Sequence, residues 1–364
     1  MADPQLFLPF RLRDLEVRNR LWVSPMCQYS VSAGDGVPTD WHLLHYGALA
    51  RGGAGLVMME ATAVRAEGRI SPRDLGLWDD AQIPAFARIA ELAHAHGARI
   101  GVQLGHAGRK ASTHPWLPGA PSGTVAAAEG GWPTVGASAV AFGELATPRA
   151  LEAAELPGIV AAFVAAAGRA VRAGLDVVEV HAAHGYLLHS FLSPFSNRRT
   201  DDFGGELAGR ARLLREVVRG IRGAHPELPI VVRVSATEWT AGGFSLEECA
   251  ELAAWLADDG ADLIDASSGA NLPHAPIPVG PAYQVPLAAE LRRGPLPVGT
   301  VGMITAAAQA ESILATGQAD VVSVGRPLLA DPQLPLRWAH ELRAPSAAEL
   351  VPGPYHRARF GAAG

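Results

Sequence analysis

Eight short runs rich in Val and Ile alternate along this chain with longer amphipathic stretches rich in Ala, Leu and Arg. Such alternation is typical of βα units around a parallel sheet. Several runs are continuously apolar, as expected of strands that are covered on both faces. The predicted strands are Arg20–Met26, Gly55–Ala63, Ala98–Leu104, Asp176–His181, Ile230–Ser235, Asp262–Ser267, Val298–Val301 and Asp320–Gly325. The sequence therefore predicts an α/β fold.

Helices are predicted between these strands, and Ser245 with Glu248 forms a capping-box pair before one of them. The predicted helices lie near Trp41–Arg51, Ala81–His96, Pro157–Ala173, Leu207–Ala224, Ser245–Asp259, Tyr283–Arg293, Thr305–Thr316 and Leu336–Leu342. Eight strands, without a G-x-G-x-x-G between strand and helix, favour a closed (β/α)₈ TIM barrel. A doubly wound open sheet remains the alternative.

The length of 364 residues fits one such barrel with inserted loops. We expect a single domain over residues 1–364, with a capping insertion around 105–156 and a C-terminal tail around 343–364. The two longest connections, Gly105–Leu156 and His184–Glu206, both follow the C-terminal ends of predicted strands. Barrel enzymes build their active sites on that face.

Composition narrows the classes of function. The net charge is −6 and no basic run is present, which argues against nucleic acid as a partner. Cys27 and Cys249 are the two cysteines, too few for a disulfide framework or an iron–sulfur cluster, so a reducing cytoplasm fits best. The chain start does not resemble a signal peptide, and no run approaches eighteen apolar residues, so we expect neither export nor a membrane span.

Polar and glycine residues fall at the ends of the predicted strands, where side chains remote in sequence meet on one rim. They are Cys27 after the first strand, Gln103 at the third, His181, His184 and Tyr186 at the fourth, Arg233 at the fifth, Gly302 after the seventh, and Gly325 and Arg326 at the eighth. Packing of a core does not require this distribution. The sequence therefore predicts an active site on this rim.

Several of these residues have a second interpretation. The pair His181 and His184 has a spacing that also occurs in metal sites, although no convincing third ligand accompanies it. Tyr186 could be a buried structural tyrosine, and Arg233 could belong to a surface ion pair. Lys110 is the single lysine among thirty basic residues, which points to a site that needs a compact ammonium, or to chance.

Longer motifs favour the catalytic interpretation. Ser24-Pro-Met-Cys-Gln-Tyr29, Gln103-Leu-Gly-His-Ala-Gly-Arg-Lys110, the block from His181 to Pro194, and Asn197-Arg-Arg-Thr-Asp201 occur in order. Together they resemble the motifs of the old yellow enzyme family, and the resemblance spans roughly Leu6 to Phe360. His-x-x-His-Gly-Tyr is the most specific element. Cys27 with Tyr29 resembles the thermophilic-like branch of that family.

The resemblance implies an FMN-dependent enzyme that takes reducing equivalents from NADPH or NADH and contains no metal. It would reduce activated C=C bonds of α,β-unsaturated carbonyl or nitro compounds by a ping-pong mechanism, as a homodimer or a dimer of dimers. Another FMN barrel reductase and a non-catalytic flavin-binding sensor remain alternatives. A dienoyl-CoA reductase would need cysteines and a cofactor domain that this chain lacks.

The resemblance also implies residue roles. His181 and His184 would hold the activating oxygen of the substrate, and Tyr186 would donate a proton to its α-carbon. The residues implied in binding FMN are Ser24, Pro25, Met26, Cys27, Ala61, Gln103, Arg233, Gly302, Gly325 and Arg326.

On the substrate side the resemblance implies Tyr29, Lys110 and Arg357, with Lys110 also a candidate for the flavin anion. Arg357 would reach a neighbouring subunit, although Arg359 competes with it for that role. Cys27 would tune the flavin and not act as a covalent nucleophile, whereas Cys249 would pack in the core.

Overall fold

The computed structural model describes residues 3–357. Eight parallel strands form a closed barrel in which each strand pairs with the next along the chain and the eighth pairs with the first. The strands are β1 (Leu21–Val23), β2 (Leu56–Ala63), β3 (Arg99–Gly105), β4 (Val177–Ala182), β5 (Ile230–Ser235), β6 (Leu263–Ser267), β7 (Val298–Thr300) and β8 (Val321–Val324). The predicted (β/α)₈ TIM barrel is confirmed, and the open sheet is excluded.

Each strand is followed by a helix on the outside of the barrel. These are α1 (Asp40–Arg51), α2 (Ile83–Ala95), α3 (Leu156–Arg172), α4 (Leu207–Ala224), α5 (Leu246–Asp259), α6 (Val285–Leu291), α7 (Ala307–Ala315) and α8 (Leu334–Glu341). Shorter helices occupy Leu187–Leu192, Arg326–Ala330 and Ala347–Leu350, with 3₁₀ turns at Gln5–Phe7, Ala66–Gly68, Asp80–Gln82, Gly108–Lys110, Ala127–Glu129, Ala153–Glu155 and Gly353–Tyr355.

Alternate residues of the strands belong to two separate apolar clusters. Val178, Val180 and Val232 face outward and pack against the helices. Val177 and Val231 face inward and pack in the barrel floor. This is the two-residue period of a strand whose two faces are both covered.

A hairpin that the sequence analysis did not predict closes this floor. Its strands, Phe10–Leu12 and Leu15–Val17, pair antiparallel just before β1. Leu12 and Val17 pack against the inward residues of the barrel. Strands of three residues are too short to produce a visible alternation of apolar and polar residues.

The predicted first strand, Arg20–Met26, was too long at its C-terminal end, because β1 ends at Val23. Pro25 has no N–H and cannot continue a strand ladder. The chain instead turns across the barrel mouth after Ser24, whose N–H still donates to Val324 O at 3.0 Å. This turn brings the residues after β1 onto the rim.

The segment Ala153–Arg172 is apolar and long enough to cross a membrane by length and composition. In the structure most of it is α3, and one face of this helix lies in the core between the barrel and its neighbours. Ile159, Phe163 and Ala167 are fully buried there. One face of this helix is therefore a core face of the barrel, and 33% of the apolar window is buried in the structure.

The connection between β3 and α3 lies over the C-terminal face of the barrel. It contains a two-stranded parallel pair, Val135–Gly136 with Arg149–Ala150. Trp132 Nε1 donates to Glu67 O at 2.7 Å, which fixes this connection to the loop after β2.

Candidate active site

A layer of polar side chains lies inside the barrel, one step above the apolar floor. Gln103 Nε2 donates to Glu179 Oε1 at 2.5 Å, and Arg233 Nε lies 3.3 Å from Asp265 Oδ2. All four side chains are buried. They come from β3, β4, β5 and β6 in sequence, so the barrel collects one polar residue from each of four neighbouring strands.

Two carboxyl groups share one guanidinium in this layer. Burial raises the pKa of Glu179 to about 8, and repulsion from Asp265 adds to the effect while Arg233 opposes it. Burial likewise raises the pKa of Asp265. The layer therefore holds a proton near neutral pH, because one arginine cannot compensate two buried carboxylates.

Arg233 connects this layer to the residues after β1. Its Nη1 donates to Ser24 Oγ at 3.2 Å. Pro25 lines the same internal cavity as Glu179 and Asp265. Met26 lies close to the residue that follows β8. A Cβ placed on Gly325 would lie 3.4 Å from Met26 Sδ.

Gly302, Gly325 and Arg326 line one open cleft at the ends of β7 and β8. Gly302 has φ +121°, and a Cβ there would lie 2.8 Å from Gln284 Nε2. No other residue fits this position without displacing that side chain. The cleft therefore offers a glycine backbone and one guanidinium, groups of the kind that bind phosphate.

His181, at the end of β4, is buried, and its ring orientation is fixed by the backbone. Ala183 N–H donates to His181 Nδ1 at 3.3 Å. Burial, followed by the charge of Arg233, holds the pKa of His181 well below its usual value. The ring is therefore neutral, and because Nδ1 accepts a hydrogen bond its proton lies on Nε2, which can donate to a substrate.

His184 is half-buried, and its ring centroid lies 5.1 Å from that of His181 with the planes nearly perpendicular. Its Nε2 lies 2.8 Å from Ser267 Oγ. Burial and the charge of Arg233 keep the pKa of His184 far below its usual value as well. Both histidines are thus neutral groups at the same mouth.

Tyr186 completes this group, with its ring centroid 4.9 Å from that of His181. Burial raises the pKa of Tyr186 well above its usual value, and the neighbouring Cys27, Tyr29 and Asp74 act in the same direction. The phenol is protonated at neutral pH. Ala61, His181 and Tyr186 line one small cavity, which places the predicted donor next to the predicted oxygen-binding group.

Lys110 lies on the Tyr186 side of the site and not in the polar layer of Arg233. Its Nζ donates to His184 O at 2.8 Å and Ala270 O at 3.1 Å. The same atom lies 5.2 Å from the Tyr186 ring centroid. Burial, with the charge of Arg109, lowers the pKa of Lys110 to about 7, whereas the carbonyl and aromatic contacts favour the ammonium form.

Tyr29 and Lys110 line a second, larger cavity together with Tyr186. Tyr29 has φ +51°, in the left-handed region, which turns its side chain across the mouth. Cys27 is half-buried beside it. Burial raises the pKa of the Cys27 thiol, and Asp74 and Glu60 reinforce this shift. A protonated thiol is a poor nucleophile.

Glu60 shapes this part of the site, although sequence reasoning missed it. The pairing of β2 with β3 shifts between Met59 and Ala61, so the two-residue alternation changes phase there. The shift turns Glu60 outward, where it accepts from Tyr46 Oη at 2.9 Å and from Gln28 N at 2.8 Å. Ala61 thereby faces the mouth, and the loop carrying Cys27 and Tyr29 is tied to α1.

Glu179 and Asp265 were also missed. The available signal was a single acidic residue within each of two otherwise apolar strands, Val177–Ala182 and Leu263–Ser267. A buried charge in such a run requires a partner, which here is Gln103 or Arg233.

The C-terminal tail is described only as far as Arg357, which is exposed. Arg359 lies outside the described residues. Tyr355 contacts α1, where the guanidinium carbon of Arg51 lies 5.5 Å from its ring centroid. Within this chain Arg357 is therefore not brought to the histidine pair. Cys249, by contrast, is buried in the core as predicted.

Comparison with known proteins agrees with this geometry. Residues 5–344 match the model of the NADH:flavin oxidoreductase / NADH oxidase family. An NADPH dehydrogenase of Listeria monocytogenes serotype 4a is 44% identical over 357 residues, which cover 98% of each chain.

Solved structures extend the likeness. Morphinone reductase superimposes with a TM-score of 0.78 at 31% identity, covering 95% of this chain and 93% of its own. The old yellow enzyme homologue from Zymomonas mobilis superimposes with a TM-score of 0.77 at 27% identity, covering 93% of each chain. The chain therefore belongs to the NADH:flavin oxidoreductase family that includes old yellow enzyme, and is an FMN-dependent NAD(P)H oxidoreductase.

Proposed function

We propose that this enzyme reduces activated C=C bonds of α,β-unsaturated carbonyl or nitro compounds by a ping-pong cycle. The observation that carries the proposal is the cluster of two neutral imidazoles and one protonated phenol at one mouth, formed by His181, His184 and Tyr186. Two N–H donors can polarise a carbonyl or nitro oxygen, and a protonated phenol beside them can supply a proton. A flavin-binding sensor has no need for this combination.

The residues of the barrel mouth fit FMN. Arg233 Nε and Asp265 Oδ1 are buried without a hydrogen-bond partner among the described residues, so the polar layer has capacity for a further polar group. Gln103 and Arg233 would hold the ring, and Gly302, Gly325 and Arg326 the phosphate. Ser24, Pro25, Met26, Cys27 and Ala61 would line it. When bound, FMN supplies the two-electron transfer between NAD(P)H and the substrate.

The substrate would lie against His181 and His184, which are held neutral by burial and so donate without carrying charge themselves. Enolate-like charge that develops on the activating oxygen would be stabilised by these two N–H groups. Tyr186 would then transfer its phenolic proton to the α-carbon, and Lys110 beside its ring would favour the resulting phenolate. Tyr29 would bound the substrate cavity from the other side.

Further parts of the proposal rest on family resemblance. We infer one domain over 1–364, in which the insertion around 105–156 caps the site and the tail around 343–364 serves a homodimer or a dimer of dimers. Arg357 would reach the neighbouring subunit, as in the thermophilic-like branch. The enzyme would act in the cytoplasm, and neither nucleic acid nor a membrane would be a partner.

One experiment tests the cofactor and the activity together. The purified protein should be yellow and release FMN on denaturation, and NADPH or NADH should bleach it under anaerobic conditions. Cyclohexenone or a nitroalkene should then restore the yellow colour with formation of the saturated product. Bleaching without reoxidation by any enone, maleimide or nitroalkene would contradict the proposed substrates, and a colourless protein would contradict the cofactor assignment.

A further inference from the structure

The turn that carries His184 and Tyr186 has a backbone conformation that needs support. His184 has φ +59° and Gly185 has φ +76°, two consecutive residues in the left-handed region. A Cβ on Gly185 would lie 2.7 Å from Ala270 O, so this turn is pressed against the segment that follows β6. Contacts elsewhere must hold it in place.

His189 provides one such contact from the short helix after the turn. Gly185 N–H donates to His189 Nδ1 at 2.9 Å, and the imidazole is fully buried. Because Nδ1 accepts this bond, the ring carries a proton on Nε2. Nε2 lies 3.3 Å from Glu238 Oε1. The imidazole therefore lies between the backbone of the turn, to which it is hydrogen-bonded, and a buried carboxylate at 3.3 Å.

Glu238 is held by donors on both oxygens. Asn271 Nδ2 donates to Oε1 at 2.6 Å, while Ser193 Oγ and Phe244 N donate to Oε2, each at 2.9 Å. Burial acts to raise the pKa of Glu238, but His189, Ser193 and the N–H of Phe244 outweigh it, and the pKa lies below its usual value. Glu238 thus remains a fixed carboxylate at neutral pH.

The same cluster continues towards the insertion. Arg109 Nη2 donates to Asn271 O and to Asn271 Oδ1, both at 2.6 Å. Arg109 Nη1 donates to Val140 O at 3.3 Å and Ala141 O at 3.2 Å. A chain of contacts therefore runs from Gly185 through His189, Glu238, Asn271 and Arg109 to residues 140–141 of the insertion.

We propose that His189 is a positioning residue that holds His184 and Tyr186 against the substrate through the N–H of Gly185, and that Glu238 fixes the orientation of the His189 imidazole. The inference rests on the proposed function of that pair. His189 and Glu238 act at a distance from the reacting groups, because both side chains are buried behind the turn and line neither cavity of the mouth.

Two replacements of His189 separate positioning from packing. His189→Asn keeps an acceptor near the place of Nδ1, whereas His189→Gln keeps a donor near the place of Nε2 and loses that acceptor. If the bond to Gly185 positions the turn, phenol affinity should stay close to wild type in the Asn variant. It should fall about tenfold in the Gln variant, the scale of one lost hydrogen bond.

The measurement is a titration of the FMN-loaded enzyme with phenol, followed by the change in flavin absorbance, beside FMN content and Tm. Equal phenol affinity in the two variants, whether both retained or both reduced, would overturn the inference. Should neither variant retain FMN, Glu238→Gln decides the matter. A roughly tenfold loss of phenol affinity would support the positioning role, and wild-type affinity would overturn it.

His184→Ala, measured in parallel, keeps the two proposals apart. Unchanged phenol affinity in His184→Ala would mean that the histidine pair does not bind the substrate oxygen, which overturns the proposed function. Reduced affinity in His184→Ala, together with unchanged affinity in His189→Gln, would overturn the positioning role alone.

Discussion

The two ends of the barrel interior are built from the same strands, but the side chains are apolar at the floor and polar near the mouth. On β4 the inward residues are Val177, Glu179 and His181, from floor to mouth, and on β5 Val231 is followed by Arg233. The floor is a closed apolar cluster. The layers above it contain buried polar groups without a hydrogen-bond partner among the described residues, including Arg233 Nε.

Because of this difference, we expect the floor to contribute to the stability of the fold and the mouth to contribute to ligand binding and catalysis. Apolar burial at the floor lowers the free energy of the folded state and does not depend on a ligand. Unsatisfied polar groups near the mouth raise it, unless a ligand later pairs with them. Substitutions at the floor should therefore change stability alone, and substitutions of the substrate-facing residues His181 and Tyr186 should change catalysis more than stability.

Tyr186→Phe should have the largest effect and the most selective one. Reduction of the flavin by NAD(P)H needs no proton from Tyr186, so that half-reaction should keep its rate. Reoxidation by cyclohexenone requires protonation at the α-carbon and should slow by roughly 10²–10⁴-fold, the scale of a lost general acid. Anaerobic stopped-flow absorbance measures both half-reactions.

A nitroalkene is the internal control for Tyr186→Phe. It can leave as a stabilised nitronate without a proton from the enzyme, so its reoxidation of the flavin should suffer much less. Equal slowing of both half-reactions would indicate a structural role for Tyr186. Unchanged reoxidation by cyclohexenone would mean that another group, such as Tyr29 or solvent, supplies the proton.

Leu56→Ala should destabilise the fold and leave the chemistry unchanged. Leu56 is fully buried in the floor cluster, where truncation of a leucine removes apolar contacts and leaves a cavity. The expected loss is about 2–5 kcal/mol in the free energy of unfolding. Urea denaturation measures it, and Val171→Ala on the exposed side of α3 is the control, with a change within about 0.5 kcal/mol. If kcat for cyclohexenone also fell severalfold in Leu56→Ala, the proposed separation between a stabilising floor and a catalytic mouth would be wrong.

His181→Ala should show the reverse pattern, with stability nearly kept and catalysis reduced. Removal of one donor to the developing oxyanion costs about 2–4 kcal/mol of transition-state stabilisation. FMN content should stay at the wild-type level, because His181 is proposed to face the substrate and not the phosphate. Steady-state kinetics with an enone and phenol titration measure the effect. If enone turnover and phenol affinity both stayed at wild-type values, His181 would not be part of the substrate site.

The smallest effect is expected from the pH dependence of the polar layer. Burial, then repulsion from Asp265, raises the folded-state pKa of Glu179 to about 8. The folded protein therefore holds this proton more tightly than the unfolded chain does, and the resulting stability is lost as pH rises from roughly 4 towards the folded pKa.

Glu179→Gln should flatten that fall in stability, because an amide does not titrate. Urea unfolding of the FMN-free protein at several pH values between these limits measures it. Glu91→Gln, at an exposed position of α2, should leave the wild-type slope unchanged. A wild-type slope that persists in Glu179→Gln would show that another group holds the proton.

The fold was predictable from sequence because its signal is repeated. Each βα unit combines an apolar strand with an amphipathic helix, and eight repetitions leave few alternatives to a closed barrel. The strand ends were less predictable. Pro25 ends β1 earlier than its apolar run suggested, and the three-residue strands of the N-terminal hairpin gave no usable pattern.

The candidate site was predictable to the extent that its residues follow strand ends or stand in recognisable motifs. His181, His184 and Tyr186 satisfy both conditions, and the structure brings them together. Glu60 satisfies neither, because its outward direction depends on a bulge that only strand pairing reveals.

The sequence by itself determined the barrel, the rim on which the polar residues meet and the family motifs. It did so because strand period and strand order are local properties that each βα unit carries. Only the tertiary structure decided which charged side chains lie close to one another in the interior. The pairing of Asp265 with Arg233, the place of Lys110 beside Tyr186 and the path from Gly185 through His189 to Glu238 join residues from different strands and loops. Such contacts depend on distances across the closed barrel, which no linear spacing encodes.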